Sequence, residues 1–273
     1  MSENNKSYIR KSQYENIQLS IYLDAKGHLL DLDLQHLDQA ASTQPAITAL
    51  IDHTLLKPEA TEEQIRTLCE EALEYQFGAV CVNSCWVSLC SQLLQGSSIK
   101  VASVIGFPWG SPVTAAKVAE ARQALQDGAC ELDMVMNYGK LKSGDYTYVA
   151  NDIREVVRLA HKHDALVKVI LETAVLSEQE KIIACLIAKE VGADFVKTST
   201  GFAGGGATVE DIALMRKVVG PDMGVKASGG VRSYADAQKM LAAGATRIGT
   251  SSGIHIAQEA AGQTQSSSTA GGY

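Results

Sequence analysis

In Asp194-Phe195-Val196-Lys197-Thr198-Ser199-Thr200-Gly201 a short apolar run carries a lysine to its far end, and hydroxyl residues and a glycine follow at once. Val191-Gly192-Ala193, just ahead of it, reads as a helix stopping and a strand starting. At a period of two, Phe195, Lys197 and Ser199 share one face, and Asp194, Val196 and Thr198 share the other. A strand with apolar neighbours on both faces belongs in a parallel sheet covered on both sides. A buried ammonium there has to be paired or give up its proton. Such a lysine is either an ordinary strand-end cation reaching solvent or a carboxylate, or a nucleophilic amine at the mouth of an enzyme site.

Working outward from this strand, apolar runs from residue 48 onward end near Asp52, Asn83, Gly106, Asn137, Glu172, Thr198, Ala227 and Gly249. Helical patterns lie between them, among them residues 62–75, 113–126, 146–162 and 178–190. Thr61 with Gln64, and Ser177 with Glu180, have capping-box spacing. Eight strand-like runs separated by helices predict an α/β fold, closed as a (β/α)8 TIM barrel over residues 48–260. Gly-Ala recurs at 78–79, 128–129, 192–193 and 244–245, each time opening an even-numbered strand, where the glycine suits a left-handed helix cap. Five positions after each glycine stand Asn83, Asp133, Lys197 and Gly249. Alternate strands of such a barrel feed one interior layer, so Asp133 and Lys197 are expected to face inward together.

The odd strands add a second polar group: Lys168 and Glu172 share a face in one, Lys226 and Ser228 in another, with Asp52 and Asp133 as candidate partners. If the sixth and seventh strands are neighbours, Lys197 and Lys226 lie on backbones about 4.8 Å apart. Two ammonium groups about 6 Å apart, at an effective dielectric of about 20, oppose each other's protonation by about 2.8 kcal/mol. Schiff-base chemistry needs such a free amine. Downstream, Ser228-Gly229-Gly230-Val231-Arg232 and Gly249-Thr250-Ser251-Ser252-Gly253 follow the last two strands. Barrels often hold phosphate with these two loops and a short helix N-terminus, so backbone N–H groups and the Ser251 and Ser252 hydroxyls are expected to hold a dianion, with Gly229 and Gly230 permitting close approach. Ordinary βα turns are the alternative.

The 273 residues carry a formal charge of -7, which leaves no basic footprint for nucleic acid. No cofactor motif occurs, and the six cysteines and six histidines lack metal-site spacing, so no cofactor and no metal are expected. The polar first thirty residues and the lack of a long apolar run predict neither a secretory signal nor a membrane span, hence a cytoplasmic protein. Residues 1–47 read as an N-terminal extension. Ile17, Leu19, Ile21 and Leu23, then Leu30, Leu32 and Leu34, alternate with polar residues around Asp24-Ala25-Lys26-Gly27, a hairpin pattern. A short acidic helix over 28–40 competes with it, and residues 41–45 read as a linker. The hairpin's apolar face needs a cover, the barrel's base or a second subunit, the latter giving a homodimer. Residues 261–273, ending in Tyr273, have the composition of a flexible tail.

Four motifs in order are similar to those of the deoxyribose-phosphate aldolases: Ile51-Asp52-His53-Thr54-Leu55-Leu56-Lys57-Pro58, Glu131-Leu132-Asp133, Val196-Lys197-Thr198-Ser199-Thr200-Gly201-Phe202 and Val225-Lys226-Ala227-Ser228-Gly229-Gly230-Val231-Arg232. The resemblance covers about residues 49–257. It implies reversible cleavage of a small sugar phosphate, 2-deoxy-D-ribose 5-phosphate, to D-glyceraldehyde 3-phosphate and acetaldehyde. It casts Lys197 as the Schiff-base former, Lys226 as the charged neighbour that favours its free amine, and Asp133 as the proton-relay acid/base. Asp52, Cys81, Lys168, Thr200 and Gly201 complete the expected substrate-binding set. Phe202 stands where some members carry a phosphate-contacting lysine. Some members also end in a tyrosine that enters the site, which makes Tyr273 a fourth candidate catalytic residue. Another Schiff-base aldolase on the same barrel, or a sugar-phosphate-binding barrel without catalysis, are the competing readings.

Overall fold

The computed structural model describes residues 7–14, 17–23, 29–36 and 46–263. The chain divides into two compact units, Met1–Gln44 and Pro45–Tyr273. In the first, β1 (Ser7–Tyr14), β2 (Ile17–Leu23) and β3 (Leu29–His36) form an antiparallel meander in that order. Register pairs Leu19 with Leu34 and Ile21 with Leu32. The hairpin pattern is therefore part of a three-stranded sheet. Residues 29–36 are a strand and not the competing acidic helix, and β1 is an addition to the sequence reading. The turn at 24–27, the linker at 41–45 and Tyr273 lie outside the described residues.

In the second unit eight parallel strands close on themselves: β4 (Ile51–Leu55), β5 (Ala79–Val82), β6 (Lys100–Ile105), β7 (Glu131–Val135), β8 (Leu166–Ile170), β9 (Phe195–Lys197), β10 (Gly224–Ser228) and β11 (Arg247–Thr250). Each pairs with the next, and β11 pairs with β4 to complete the (β/α)8 barrel. The helices between them are α1 (Glu62–Tyr75), α2 (Val87–Leu93), α3 (Thr114–Gln126), α4 (Tyr138–Lys142), α5 (Tyr146–His161), α6 (Glu178–Glu190), α7 (Val209–Val219), α8 (Tyr234–Ala242) and α9 (Gly253–Ala260). None of them is long and apolar enough to cross a membrane.

Local chemistry explains the boundaries. α1 and α6 both start in complete capping boxes, with Thr61 and Ser177 accepting from the N3 backbone while Gln64 and Glu180 reach back. These devices satisfy donors that a helix start leaves unpaired. α1 buries Ile65, Leu68, Cys69 and Ala72, a spacing that puts one stripe against the barrel. Of the four Gly-Ala repeats, Gly128, Gly192 and Gly244 take positive φ as a left-handed cap requires. The first differs: Gln76 takes the left-handed position, and Gly78 is small for another reason, since a Cβ there would sit 2.3 Å from the Ala49 carbonyl oxygen.

Two apolar clusters result. The larger fills the space between barrel and helices, with Val80, Leu132, Val169, Val196 and Val225 among its members. The smaller consists of Leu56, Cys81, Ala102 and Val104, with Phe107 and Phe202, edge to face with each other, packed against it. Along β6, Val101 and Ile105 belong to the outer cluster and Ala102 and Val104 to the inner one, as strand alternation requires. The inner cluster is the apolar half of the barrel interior.

Candidate active site

The other half of the interior is charged. Asp133 and Lys168 sit side by side on β7 and β8, and Lys197, Lys226 and Arg247 are successive register partners across β9, β10 and β11. In-register neighbours on parallel strands point the same way. Asp52 joins them from β4, opposite Gly249 on β11. Gly249 makes room for this row, since a Cβ there would stand 2.8 Å from Lys226 Cε.

Asp133 is the hub. Its Oδ1 accepts from Lys168 Nζ at 2.8 Å, and its Oδ2 accepts from both Lys197 Nζ and Lys226 Nζ at 2.7 Å. Lys226 Nζ also donates to Asp52 Oδ2. Lys168 Nζ lies 2.5 Å from Glu131 Oε2 and 3.5 Å from Asp52 Oδ2. Arg247 closes the far end, with Nη2 donating to Glu131 Oε1 at 2.8 Å and Nη1 lying 3.2 Å from Asp52 Oδ1. Asp52, Asp133, Lys168 and Lys226 are fully buried, and Lys197 is 3% exposed.

Burial on its own would neutralise these groups, but the partners outweigh it. Burial raises the Asp133 pKa, yet Lys168, Lys197 and Lys226 hold it well below the usual carboxylate range. Burial also opposes ionisation of Asp52, and Lys226, Lys168 and Arg247 nonetheless bring it down to about 2. For Lys168 and Lys226, burial favours the neutral amine, but Asp133 and Asp52 push both pKa values up, Lys168 well above its ordinary value. Both remain cations. Cys81 approaches Asp133 Oδ2 at 3.9 Å from the apolar half, and burial with that nearby negative charge pushes its thiol up to about 11.

Beyond Lys197 the chain stays buried through Thr198, Ser199 and Thr200. The Thr200 amide donates to Glu172 Oε2 at 3.2 Å and its hydroxyl donates to the same oxygen. Ser199 Oγ is buried with no hydrogen-bond partner among the described residues. Thr200 Oγ1 in turn accepts from the Phe202 amide at 3.0 Å, which turns the chain at Gly201, where φ is 87°. After β10, Gly229 and Gly230 both have φ of 80°, and the Gly229 carbonyl accepts from the Ala207 amide at 2.9 Å. After β11, Ser252 is the N-cap of α9 and makes no side-chain cap bond, while Ser251 is exposed.

The structure thus brings Lys197, Lys226, Asp133, Lys168, Asp52 and Cys81 into one cluster. Thr200 and Gly201 follow Lys197 directly, and Gly229, Gly230, Ser251 and Ser252 occupy the loops after the last two strands. The sequence reading left out Arg247 and met Glu131 only as part of a motif. The available signal was parity: Arg247 stands two residues before Gly249 on the same strand face. Among the described residues no group of three or more His, Cys, Asp or Glu is arranged to hold a metal ion.

Known proteins resemble this chain in sequence and fold. The profile of the DeoC/LacD family aldolases matches residues 46–259. A deoxyribose-phosphate aldolase of Thermococcus gammatolerans is 62% identical over 216 residues, covering 78% of this chain and 96% of that protein. One from Caldanaerobacter subterraneus is 58% identical over 214 residues, covering 78% and 93%. Among solved structures, the tetrameric deoxyribose phosphate aldolase of Aeropyrum pernix superposes with a TM-score of 0.74 at 37% identity, covering 78% of this chain and 90% of that one. A closed parallel barrel with a buried lysine cluster, matched over its whole length by such relatives, leaves one assignment: the chain belongs to the DeoC/LacD aldolase family, among the deoxyribose-phosphate aldolases, and is a carbon–carbon lyase.

Proposed function

We propose that this enzyme works through a Schiff base on Lys197 and reversibly cleaves 2-deoxy-D-ribose 5-phosphate to D-glyceraldehyde 3-phosphate and acetaldehyde. The observation that carries this reading is the unequal partnering of the cluster. Lys168 touches three carboxylates, Lys226 two and Arg247 two, whereas Lys197 touches only Asp133, through an oxygen it shares with Lys226. Lys197 is the cation that the ion-paired network holds least, and it closes the strand that leads to the hydroxyl-rich loop.

The chemistry follows. The free amine of Lys197 attacks C1 of the open-chain aldehyde, and loss of water gives an imine. Its protonated form is the electron sink. A base removes the C3 hydroxyl proton, the C2–C3 bond breaks, and glyceraldehyde 3-phosphate leaves with C3 as its aldehyde. The electron pair remains on the enzyme as an enamine. Protonation at C2 and hydrolysis of the imine release acetaldehyde and restore the amine. Asp133, relaying through a water, moves these protons. Lys226 stays charged beside it and opposes protonation of the nucleophile. Asp52 and Lys168 are fully buried and act by fixing Asp133 and Lys226, with Cys81 closing the apolar side. Gly229, Gly230, Ser251 and Ser252 hold the phosphate with backbone N–H groups, hydroxyls and the N-terminus of α9, and Thr200 and Gly201 border the substrate. Tyr273 is assigned to proton transfer at the enamine carbon.

Six free thiols fit a reducing compartment and support a cytoplasmic enzyme. A homodimer is the assembly we assign, with a second subunit covering the apolar face expected from the alternating pattern of residues 17–34. The test of the activity is turnover of 2-deoxyribose 5-phosphate beside a panel of other phosphorylated sugars, following both aldehyde products. Fast release of both aldehydes from the deoxy sugar is expected. Faster cleavage of a different sugar phosphate contradicts the substrate, and binding without cleavage of any of them contradicts the enzyme.

A further inference from the structure

Arg247 lies at the end of the network opposite Lys197, and no step above uses it. Its guanidinium donates to Glu131 Oε1 at 2.8 Å and lies 3.2 Å from Asp52 Oδ1, an ion pair without a hydrogen bond. The side chain is 14% exposed. It fits because residue 78 is glycine: a Cβ there would stand 2.8 Å from Nη1. In the ion-paired network, four cations (Lys168, Lys197, Lys226, Arg247) meet three carboxylates (Asp52, Glu131, Asp133), an excess of one positive charge.

We propose that Arg247 is a positioning residue for the aldolase reaction: it supplies the cation by which the network exceeds its carboxylates, and so makes Lys197 the group that releases a proton. With Arg247 present, loss of the Lys197 proton leaves three cations on three carboxylates. Without Arg247, the same loss leaves two cations on three carboxylates, and an uncompensated buried charge is strongly unfavourable. The groups facing this path are Asp52 from β4, Cys81 from β5, Glu131 and Asp133 from β7, Lys168 from β8, Glu172 just after it and Lys226 from β10. β6 adds only Ala102 and Val104 on that side. Glu172 is tied to Thr200 and is ion-paired with none of the four cations; the Lys197 charge does reach it, but it is present in every variant and so does not alter the difference between them. Burial raises its pKa.

Two strand spacings separate the Arg247 and Lys197 backbones, about 10 Å. A unit charge at that distance, at an effective dielectric of about 20, moves a proton equilibrium by about one pH unit. This inference rests on Lys197 being the nucleophile, and the two are tested separately. The adduct trapped by borohydride with acetaldehyde on the wild-type enzyme is mapped first, and an adduct on another lysine overturns the nucleophile. The pH dependence of kcat/KM and of the trapping rate is then measured for the wild type, Arg247→Gln, Arg247→Lys and Glu131→Gln. Arg247→Gln should move the acid limb up by about one pH unit, which is about tenfold slower trapping on that limb. Arg247→Lys should keep the wild-type limb, whatever it does to the rate, because the charge is retained. Glu131→Gln, which removes an anion, should move the limb down. An unmoved limb in folded Arg247→Gln, or equal shifts in Arg247→Gln and Arg247→Lys, overturns the proposal. Where Arg247→Gln does not fold, Glu131→Gln decides: a downward shift supports the proposal, and an unmoved or raised limb overturns it.

Discussion

Lys117 lies on α3, outside the barrel, with its ammonium against α5, and Lys197 lies at the end of β9, inside it; each is buried against an aspartate. Lys117 Nζ donates to Asp152 Oδ2 at 2.5 Å and to the Val135 carbonyl at 2.9 Å, and the other Asp152 oxygen accepts from Thr114 Oγ1 at 2.9 Å. One cation meets one anion, and both have further partners of their own. Burial lowers the Lys117 pKa while Asp152 opposes the change. Lys197, by contrast, has one carboxylate oxygen, and Lys226 donates to that same oxygen. A buried lysine beside an aspartate is therefore no mark of chemistry by itself. What separates the two sites is whether the anion is shared among more cations than it can satisfy.

Substitutions can break this contrast. Lys197→Ala should lower kcat/KM by at least about 10⁴-fold, as loss of a nucleophile does. A steady-state assay on purified enzyme checks it, and activity within tenfold of wild type contradicts the assignment. Lys226→Leu should cost about 10²- to 10³-fold and move the acid limb of kcat/KM to higher pH by about two units. A slower enzyme with an unmoved limb would show that Lys226 is only a packing group.

The outer pair should respond in stability instead. Lys117→Met leaves Asp152 buried and unpaired and should destabilise by about 3–5 kcal/mol in urea unfolding, with activity per folded molecule retained. Lys117→Met combined with Asp152→Leu should recover most of that loss. If the double variant is no better than the single one, the pair is more than a replaceable ion pair. Acid gives the smallest effect and sharpens the inner site. The folded-state pKa of Asp52 is about 2 against an ordinary 3.8, so its stabilising contribution is fully present above about pH 4 and is lost as pH falls through about 2. Melting temperature followed from pH 5 to 2 should fall for this reason in the wild type, and Asp52→Asn should begin lower and lack that part of the fall.

Much of the barrel was legible in the sequence because its signals are local. The boundaries of α1 and α6 follow from Thr61 with Gln64 and Ser177 with Glu180, which make the capping boxes their spacing predicts. The inward pairing of Asp133 with Lys197 follows from counting five residues past the glycine of each Gly-Ala, and the 2.7 Å contact agrees with it. Other features depend on groups far apart in the chain. β1 reads Ser-Tyr-Ile-Arg-Lys-Ser-Gln-Tyr, with no apolar alternation, and is defined only by its pairing with β2. Arg247 opens its strand after Ala245-Thr246, where an arginine looks like a surface residue; its partners stand 116 and 195 positions away. The sharing of one Asp133 oxygen between two lysines is a matter of ångströms that no spacing encodes.

Unequal partnering singles out Lys197 among the four lysines buried in this unit. The most direct measurement is mass spectrometry of peptides from enzyme reduced with borohydride in the presence of acetaldehyde. A single ethyl adduct on the peptide containing Lys197, with Lys117, Lys168 and Lys226 unmodified, is the predicted result. An adduct on Lys168 or Lys226 with Lys197 unmodified would contradict it.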